Sequence, residues 1–397
     1  MKYTRKYTEN FNTLDLCYYG HGYEFSGVQC ASFFGIIEIV AALIEIHGYR
    51  SKWGWYLGDS PLALTARNGH EEVVKMLVGW EGVDPDEPNR YGQTPLSYAA
   101  GYGRKGVVDL LLGRAVVNLG RIDKLGRTPL SYTVGNGNEE VVMILLGRAG
   151  VRSDWTDNKG RTLLLHAAGH GQEAMVKILL GWENNDVDMP DNKGRMPFSY
   201  AAGRGHEGMV RMLLEREEVD PDAPDGDGRT PLSRAADLQN EAVVKLLLGR
   251  QDVNSDQPDN DRRTPLSYAA LFGCGEMVEL LLGQREVNPD KPDNGGRTPL
   301  SYASRGMNLF ETEVYMRVTK LLLGWEEVIP DKPDNDGRRP LSYASEHGFQ
   351  GVVEMLLGRQ EVNSGKPDNG GRTPLSYASR GGRPHETEAY MRVMKML

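Results

Sequence analysis

Apolar residues along this chain come in two alternating patterns, both with helical spacing. Within residues 94–113, the segment Pro95-Leu96-Ser97-Tyr98-Ala99-Ala100 is followed, past Gly103, by Val107, Val108, Leu111 and Leu112. The second set makes one apolar stripe along a helix. Thr94 suits a helix N-cap, and Pro95 suits the first helical position, where its missing N–H leaves nothing unpaired. The small Ala99 and Ala100 let a neighbouring helix come close. Gly103 ends the first helix, and Gly113 lies where a C-terminal glycine cap belongs. Beyond it the chain turns polar and rich in Asp, Pro, Asn and Gly up to Gly126-Arg127-Thr128, a turn signal. The pattern predicts helix, turn, helix and an extended finger, a unit that cannot bury both its faces alone.

That unit repeats. The anchor Thr94-Pro95-Leu96 returns in steps of 34 residues at Thr128, Thr162, Met196, Thr230, Thr264 and Thr298, then after a 41-residue step at Arg339, and again at Thr373. Upstream, Ser60-Pro61-Leu62 keeps the period, and a worn copy starts at Ser26. Eleven anchors predict a solenoid in which each unit packs on its neighbours. A length of 397 residues would otherwise suggest two or three domains; the repeat overrides this in favour of one elongated body. The expected organisation is an unassigned segment 1–25, a degenerate first repeat 26–58 and an array 59–397 with a truncated last repeat. Residues Leu14 to Tyr19 could belong to a further decayed helix.

Thr-Pro-Leu-x-x-Ala-Ala opening the first helix and Val-Val-x-x-Leu-Leu in the second resemble the ankyrin repeat, over about residues 26–397. The resemblance implies an all-α fold, an ankyrin-type α-solenoid of about eleven helix-turn-helix repeats with extended β-turn fingers. Two departures stand out. Serine (Ser97, Ser131, Ser199) replaces the histidine usual after Thr-Pro-Leu, and the period is 34 instead of about 33. The finger wording, as in Pro292-Asp293-Asn294-Gly295-Gly296-Arg297, is similar to arrays in large filamentous-fungal proteins, where repeats often follow a nucleotide-binding or hydrolase-like domain. No Gly-x4-Gly-Lys-Ser/Thr run occurs here.

Several copies break the pattern. Met196 and Arg339 replace the capping threonine and Leu163 the proline, which predicts helices that fray more easily. Arg262 stands where other copies have glycine (Gly92, Gly126, Gly296), so a positive φ there would strain it. Seven residues are inserted around Met307 to Tyr315, and Glu311-Thr312-Glu313-Val314-Tyr315-Met316-Arg317-Val318 is echoed by Glu386-Thr387-Glu388-Ala389-Tyr390-Met391-Arg392-Val393, a duplication. Leu397 falls inside a second helix without a polar capping repeat, which points to a fragment or truncated gene product ahead of a docking end.

The net charge of −9 argues against a sequence-independent grip on nucleic acid. Three cysteines, an odd count with no pairing pattern, fit a reducing compartment. Nothing resembles a signal peptide, and the apolar run around Ile36 to Ile46 carries Glu38 and Glu45 and is too short to span a bilayer. Cytoplasm or nucleus is the expected location, with no membrane partner.

By resemblance, a partner lies in the concave groove, against the finger tips and the exposed ends of the first helices. The residues eight after each anchor are Asn68, Tyr102, Asn136, His170, Arg204, Leu238 and Phe272, with Leu271 adjacent. Their variety amid near-identical repeats suggests a surface free to specify a partner. Leu238, Leu271 and Phe272 would form an apolar anchor on neighbouring repeats. A row of arginines (Arg127, Arg161, Arg195, Arg229, Arg263, Arg297, Arg338, Arg372) runs before the anchors, with aspartates (Asp225, Asp227, Asp259, Asp293, Asp334, Asp368) beside it. A solvated, mutually neutralising charge lattice is expected there in preference to an anion track. His166 and His170 have the spacing of two metal ligands on a helix, but no third ligand joins them, and His166 fills a tyrosine slot, so packing explains it. The fingers lack the residues of a calcium loop. Trp80, Trp182 and Trp325 stand where other repeats have arginine, a structural interchange.

No metal, no cofactor and no catalytic set is expected. The function expected is recognition of a partner protein in the groove by a monomer. Two alternatives stay open: a regulatory or recognition fragment of a larger multidomain enzyme or nucleotide-binding signalling protein, and end-to-end association through the uncapped last repeat.

Overall fold

A computed structural model of the chain describes residues 17–19, 23–25, 27–47, 59–148, 155–182, 186–306, 312–380 and 387–397. These residues contain 22 helices in consecutive pairs and fall in two compact units, 1–192 and 193–397. In the first unit the pairs are Gly27–Phe34 with Ile37–His47, Pro61–Asn68 with Glu71–Val78, Pro95–Gly101 with Lys105–Leu112, Pro129–Asn136 with Glu139–Leu146, and Leu163–His170 with Glu173–Leu180. In the second they are Pro197–Arg204 with Glu207–Leu214, Pro231–Asp237 with Glu241–Leu248, Pro265–Leu271 with Gly275–Leu282, Pro299–Arg305 with Thr312–Leu323, Pro340–Glu346 with Gln350–Leu357, and Pro374–Arg380 with Thr387–Met396. In the unassigned segment 1–25, where Leu14 to Tyr19 left room for a decayed helix, the described part Cys17–Tyr19 is a strand, paired antiparallel with Tyr23–Phe25. Tyr18, Tyr19 and Tyr23 are strand-favouring aromatics, and glycines lie between the two runs.

Within each unit, first helices pack along first helices more closely than second helices along second helices, so the first-helix side faces inward. Leu96, Ala99, Ala100, Val107, Val108 and Leu111 are all fully buried, and the same positions are buried copy after copy. Each fully buried Val or Leu contributes about 1.5–3 kcal/mol over an exposed one. Thr94 Oγ1 accepts the N–H of Ser97 at 3.2 Å, and Thr162 does the same for Leu165 at 3.1 Å despite the lost proline. Met196 and Arg339 make no such bond. Gly113 departs from expectation: its φ is −68°, in the right-handed region. Glu215 takes the equivalent position with φ −75°, so that bend needs no glycine.

The fingers are built on a buried carboxylate. Asp293 Oδ1 accepts the N–H groups of Gly295 and Arg297, both at 2.8 Å. Its Oδ2 accepts from Arg297 Nε at 3.0 Å and from the Tyr302 hydroxyl at 2.6 Å. The set recurs at Asp123 with Arg127 and Tyr132 and at Asp368 with Arg372 and Tyr377. Neighbouring fingers are joined by main-chain bonds, such as Asn260 N–H to Asp227 O at 3.0 Å and Asn294 N–H to Asp261 O at 2.8 Å. An asparagine ladder adds to them: Asn294, Asn335 and Asn369 donate side-chain N–H to the main-chain oxygens of Asn260, Asn294 and Asn335 at 2.9–3.0 Å.

The glycine before each finger arginine has a positive φ, +77° at both Gly126 and Gly296, and a Cβ there would meet the next finger's asparagine Oδ1 at 2.4 and 2.7 Å. Arg262 occupies this position with φ +63°, as the sequence implied.

Several first-helix ends are closed by the next repeat. The main-chain oxygen seven residues after the anchor accepts from Arg104 at Arg67 (3.0 Å), from Asn138 at Gly101 (2.9 Å) and from Asn240 at Gly203 (2.8 Å). The inserted loops around Met307 and 381–386 lie outside the described residues, but the helices after them keep the rule. The Tyr315 hydroxyl donates to Leu271 O at 3.3 Å and the Tyr390 hydroxyl to Glu346 O at 2.9 Å.

Two outcomes follow for urea unfolding. Asp293→Ala leaves two main-chain donors and a tyrosine without an acceptor and should cost about 3 kcal/mol. Asp293→Asn should cost clearly less, because Asn89 Oδ1 accepts the corresponding N–H groups of Tyr91 and Gln93 in its own finger. Separately, Arg262→Gly should raise the midpoint, relieving a left-handed residue worth about 1 kcal/mol.

Candidate recognition surface

Four side-chain columns line the inner side of each unit: the arginine before the anchor, the residue four after it, and the seventh and eighth residues. The first two belong to the finger sets. Asp293 and Asp368 are 5 and 6 % exposed, and Arg297 lies over the Tyr302 ring, 5.4 Å from its centroid. Arg338 stacks on Tyr343 at 4.0 Å and on Tyr377 of the next repeat at 4.2 Å. The expected solvated lattice is therefore corrected. Asp227 and Asp261 are exposed, but Asp225, Asp259, Asp293, Asp334 and Asp368 are buried, because each is the internal acceptor of its own turn. Burial pushes the Asp293 carboxyl up, yet the bonds from Tyr302 and Arg297 outweigh it and hold it below the ordinary carboxylate value. Burial, with Asp293 alongside, pushes the Tyr302 phenol up to about 12. Near neutral pH Asp293 is thus a carboxylate and Tyr302 a neutral phenol, bonded to each other.

The eighth-residue column is more open. In the first unit, Tyr102 is 48 % exposed beneath the Arg67 guanidinium, 5.0 Å from its ring centroid. Asn136 is exposed but donates to Gly101 O at 2.7 Å. His170 is exposed, with Nδ1 2.7 Å from His166 O. In the second unit Arg204 is exposed, while Leu271 and Phe272 are half-buried. Leu238 is 50 % exposed, with Cδ1 3.3 Å from where a Cβ on Gly203 would sit. The apolar patch on the helices Pro231–Asp237 and Pro265–Leu271 is thus narrower than the sequence implied, and Leu238 is its open member. Beside it, Gln239 has φ +59°, and Gln239 and Arg262 are the two non-glycine residues with positive φ among the described residues. In the same repeat Arg234 replaces the tyrosine, with Nε 3.6 Å from Asp225 Oδ2, and Arg229 turns away to Asp237 at 2.9 Å.

Sequence reasoning missed the finger-tip residues three before each anchor, of which Tyr91 and Leu125 are 44 and 53 % exposed. Lining the repeats up on that position, as was done for the eighth, would have found them.

His166 packs in the tyrosine slot, 6 % exposed, with Nε2 3.2 Å from Asp157 Oδ2. Its ring stacks between Trp155 and His170, with centroids 6.4 and 6.5 Å away. Burial, helped by Arg161, pushes the ring down to about 4. Burial pushes the Cys274 thiol up to about 11, which suppresses its thiolate at neutral pH. No helix among the described residues is long and apolar enough to cross a membrane.

Paired helices, inter-finger bonds and shared helix ends together define a helical-repeat protein. The family model "Ankyrin repeats (3 copies)" matches residues 28–120, 113–191, 171–257, 244–312 and 311–387. The chain belongs to the ankyrin-repeat family, and its fold is an all-α ankyrin-type solenoid of about eleven repeats. Ankyrin repeats are in general protein–protein interaction modules. No curated protein matches the chain.

A depressed histidine gives stability that is full above its unfolded value near 6.5 and is lost as pH falls through that value towards 4. Each unit of depression is worth about 1.4 kcal/mol. His166→Tyr, which restores the residue of neighbouring repeats, should therefore raise the melting temperature much more at pH 5 than at pH 7.5, where the ring is already neutral.

Proposed function

We propose that this protein recognises a partner protein through the inner face of its repeats and performs no catalysis. Stacked first helices fix the face, and a few side chains that differ from copy to copy choose the partner: Tyr102, Asn136 and His170 in one unit, Arg204, Leu238, Leu271 and Phe272 in the other. The observation that carries this reading is Leu238. It stands half in solvent on a face most of whose arginines, tyrosines and aspartates contact one another. Gln239, next to it, takes with φ +59° the helix-end position that is left-handed glycine at Gly69, Gly103 and Gly137. A half-exposed apolar side chain on such a face fits an interface anchor, and such anchors contribute about 2 kcal/mol or more. The internal use of the buried carboxylates and the suppressed Cys274 thiol support a binding role over a catalytic one.

Affinity capture from a lysate of the source cells, with wild type and Leu238→Asp compared and both folded by circular dichroism, tests the reading. A specific partner held by the wild type and lost from the variant is the expected result. A partner retained equally by both would move the interface off this column.

A further inference from the structure

The first unit carries a second surface that the eighth-residue column does not use. Its successive finger tips present Arg90 and Tyr91, then Lys124 and Leu125, then Lys159, all exposed. They are side by side because Lys124 N–H donates to Tyr91 O at 2.8 Å and Asn158 N–H to Leu125 O at 3.0 Å. Arg90 lies 4.8 Å from the Tyr91 ring centroid and donates to its hydroxyl at 2.8 Å, which holds a flat aromatic face at the edge of the row. Ile122, 54 % exposed, adds apolar surface on the same finger as Leu125.

The charge of this row is unbalanced. Asp123 and Asp157, the aspartates of the same fingers, are buried and spent on their own turns. Lys124 and Lys159 take part in none of the ion pairs among the described residues. The exposed carboxylates among the described residues of the unit stand elsewhere: on the second helices, from Glu38 to Glu173, and in the loops after them at Glu81, Asp84 and Asp186. Apart from the buried aspartates of the fingers themselves, half-buried Glu87 is the acidic residue nearest in sequence to the tips. A chain of net charge −9 thus shows a local cationic strip with apolar side chains set into it.

We propose that the finger tips of the first unit dock an acidic segment of a partner protein, with its carboxylates on Arg90, Lys124 and Lys159 and its aromatic or aliphatic side chains on Tyr91 and Leu125. This rests on the protein-recognition reading above and gives it a partner chemistry. A nucleic acid is the poorer match: Tyr91 is the one stacking face in the row, Leu125 and Ile122 offer none, and the overall charge repels a phosphate chain. Exposed charges steer encounter, while desolvated apolar anchors supply affinity.

Selection of a random-peptide display library on the full chain, followed by fluorescence anisotropy of a labelled winner, tests the proposal. The expected winners combine Asp or Glu with Phe, Tyr or Leu. Their binding should fall about tenfold or more in a Lys124→Glu, Lys159→Glu double variant, fall also in Leu125→Ser, and stay unchanged in Leu238→Asp. Replacing the winner's carboxylates by amides should give a similar loss. Winners that are neutral or basic, or that survive the charge reversal, overturn the proposal, and so does a selection that enriches nothing. Winners lost only in Leu238→Asp overturn it while leaving protein recognition standing. Tighter binding of labelled oligouridylate through the same lysines would overturn it in favour of nucleic acid.

Discussion

A finger is a loop of exposed backbone, and what makes it rigid is one buried side-chain acceptor, a carboxylate in most repeats and Asn89 in one. Asp123, Asp293 and Asp368 each take two main-chain N–H groups on one oxygen and an arginine and a tyrosine on the other. A buried charge is tolerable only when its lone pairs are matched, and this geometry matches them with groups from both ends of the turn and from the helix that follows. The turn therefore sets the position of the first helix, and the tyrosine, carried on that helix, locks it back onto the turn. Arginines then reach across repeats, as Arg263 Nε does to the Tyr302 hydroxyl at 3.0 Å.

That internal closure shapes what the surface can offer. Because the conserved-looking charges are spent inside, a row of arginines that looks like an anion track does not act as one, and the chemistry left to the outside sits at two positions per repeat: the finger tip and the first-helix end. The tips are Tyr91, Leu125 and Lys159 in one unit, and in the other they include Lys193, Asp227, Asp261, Gly295 and Asp336. The framework is near-uniform, and much of the exposed variation falls at those positions.

The period, the caps and the strain at Arg262 were legible in the sequence because each depends on local backbone chemistry: Thr94 and Pro95 at a helix start, a positive φ two residues before an anchor. Legibility stopped where long-range burial decided the outcome. Asp293 and Asp227 look alike in a finger, yet one is enclosed and the other exposed, because the turn folds round the position five before the anchor and not round the one three before it. Leu271 and Phe272 look as open as Leu238, but they are half-buried. Gly113 shows the converse: a glycine where a left-handed cap is usual, in a bend that Glu215 makes equally well.

The donors that close these helix ends come from the following repeat and are chemically unlike one another: a guanidinium at Arg104, a carboxamide at Asn138, a phenol at Tyr315. What these three address is a main-chain oxygen, which is the same atom whatever residue carries it. A repeat that carries such a donor can therefore seal the one before it through the main chain alone, whereas Cys274 turns to Phe272 O of its own repeat. Gene segments coding for such units can be copied and joined in new orders without rewriting the junction. The Tyr315 and Tyr390 helices, near-copies in sequence that perform the same closure in two places, are what such copying would leave behind.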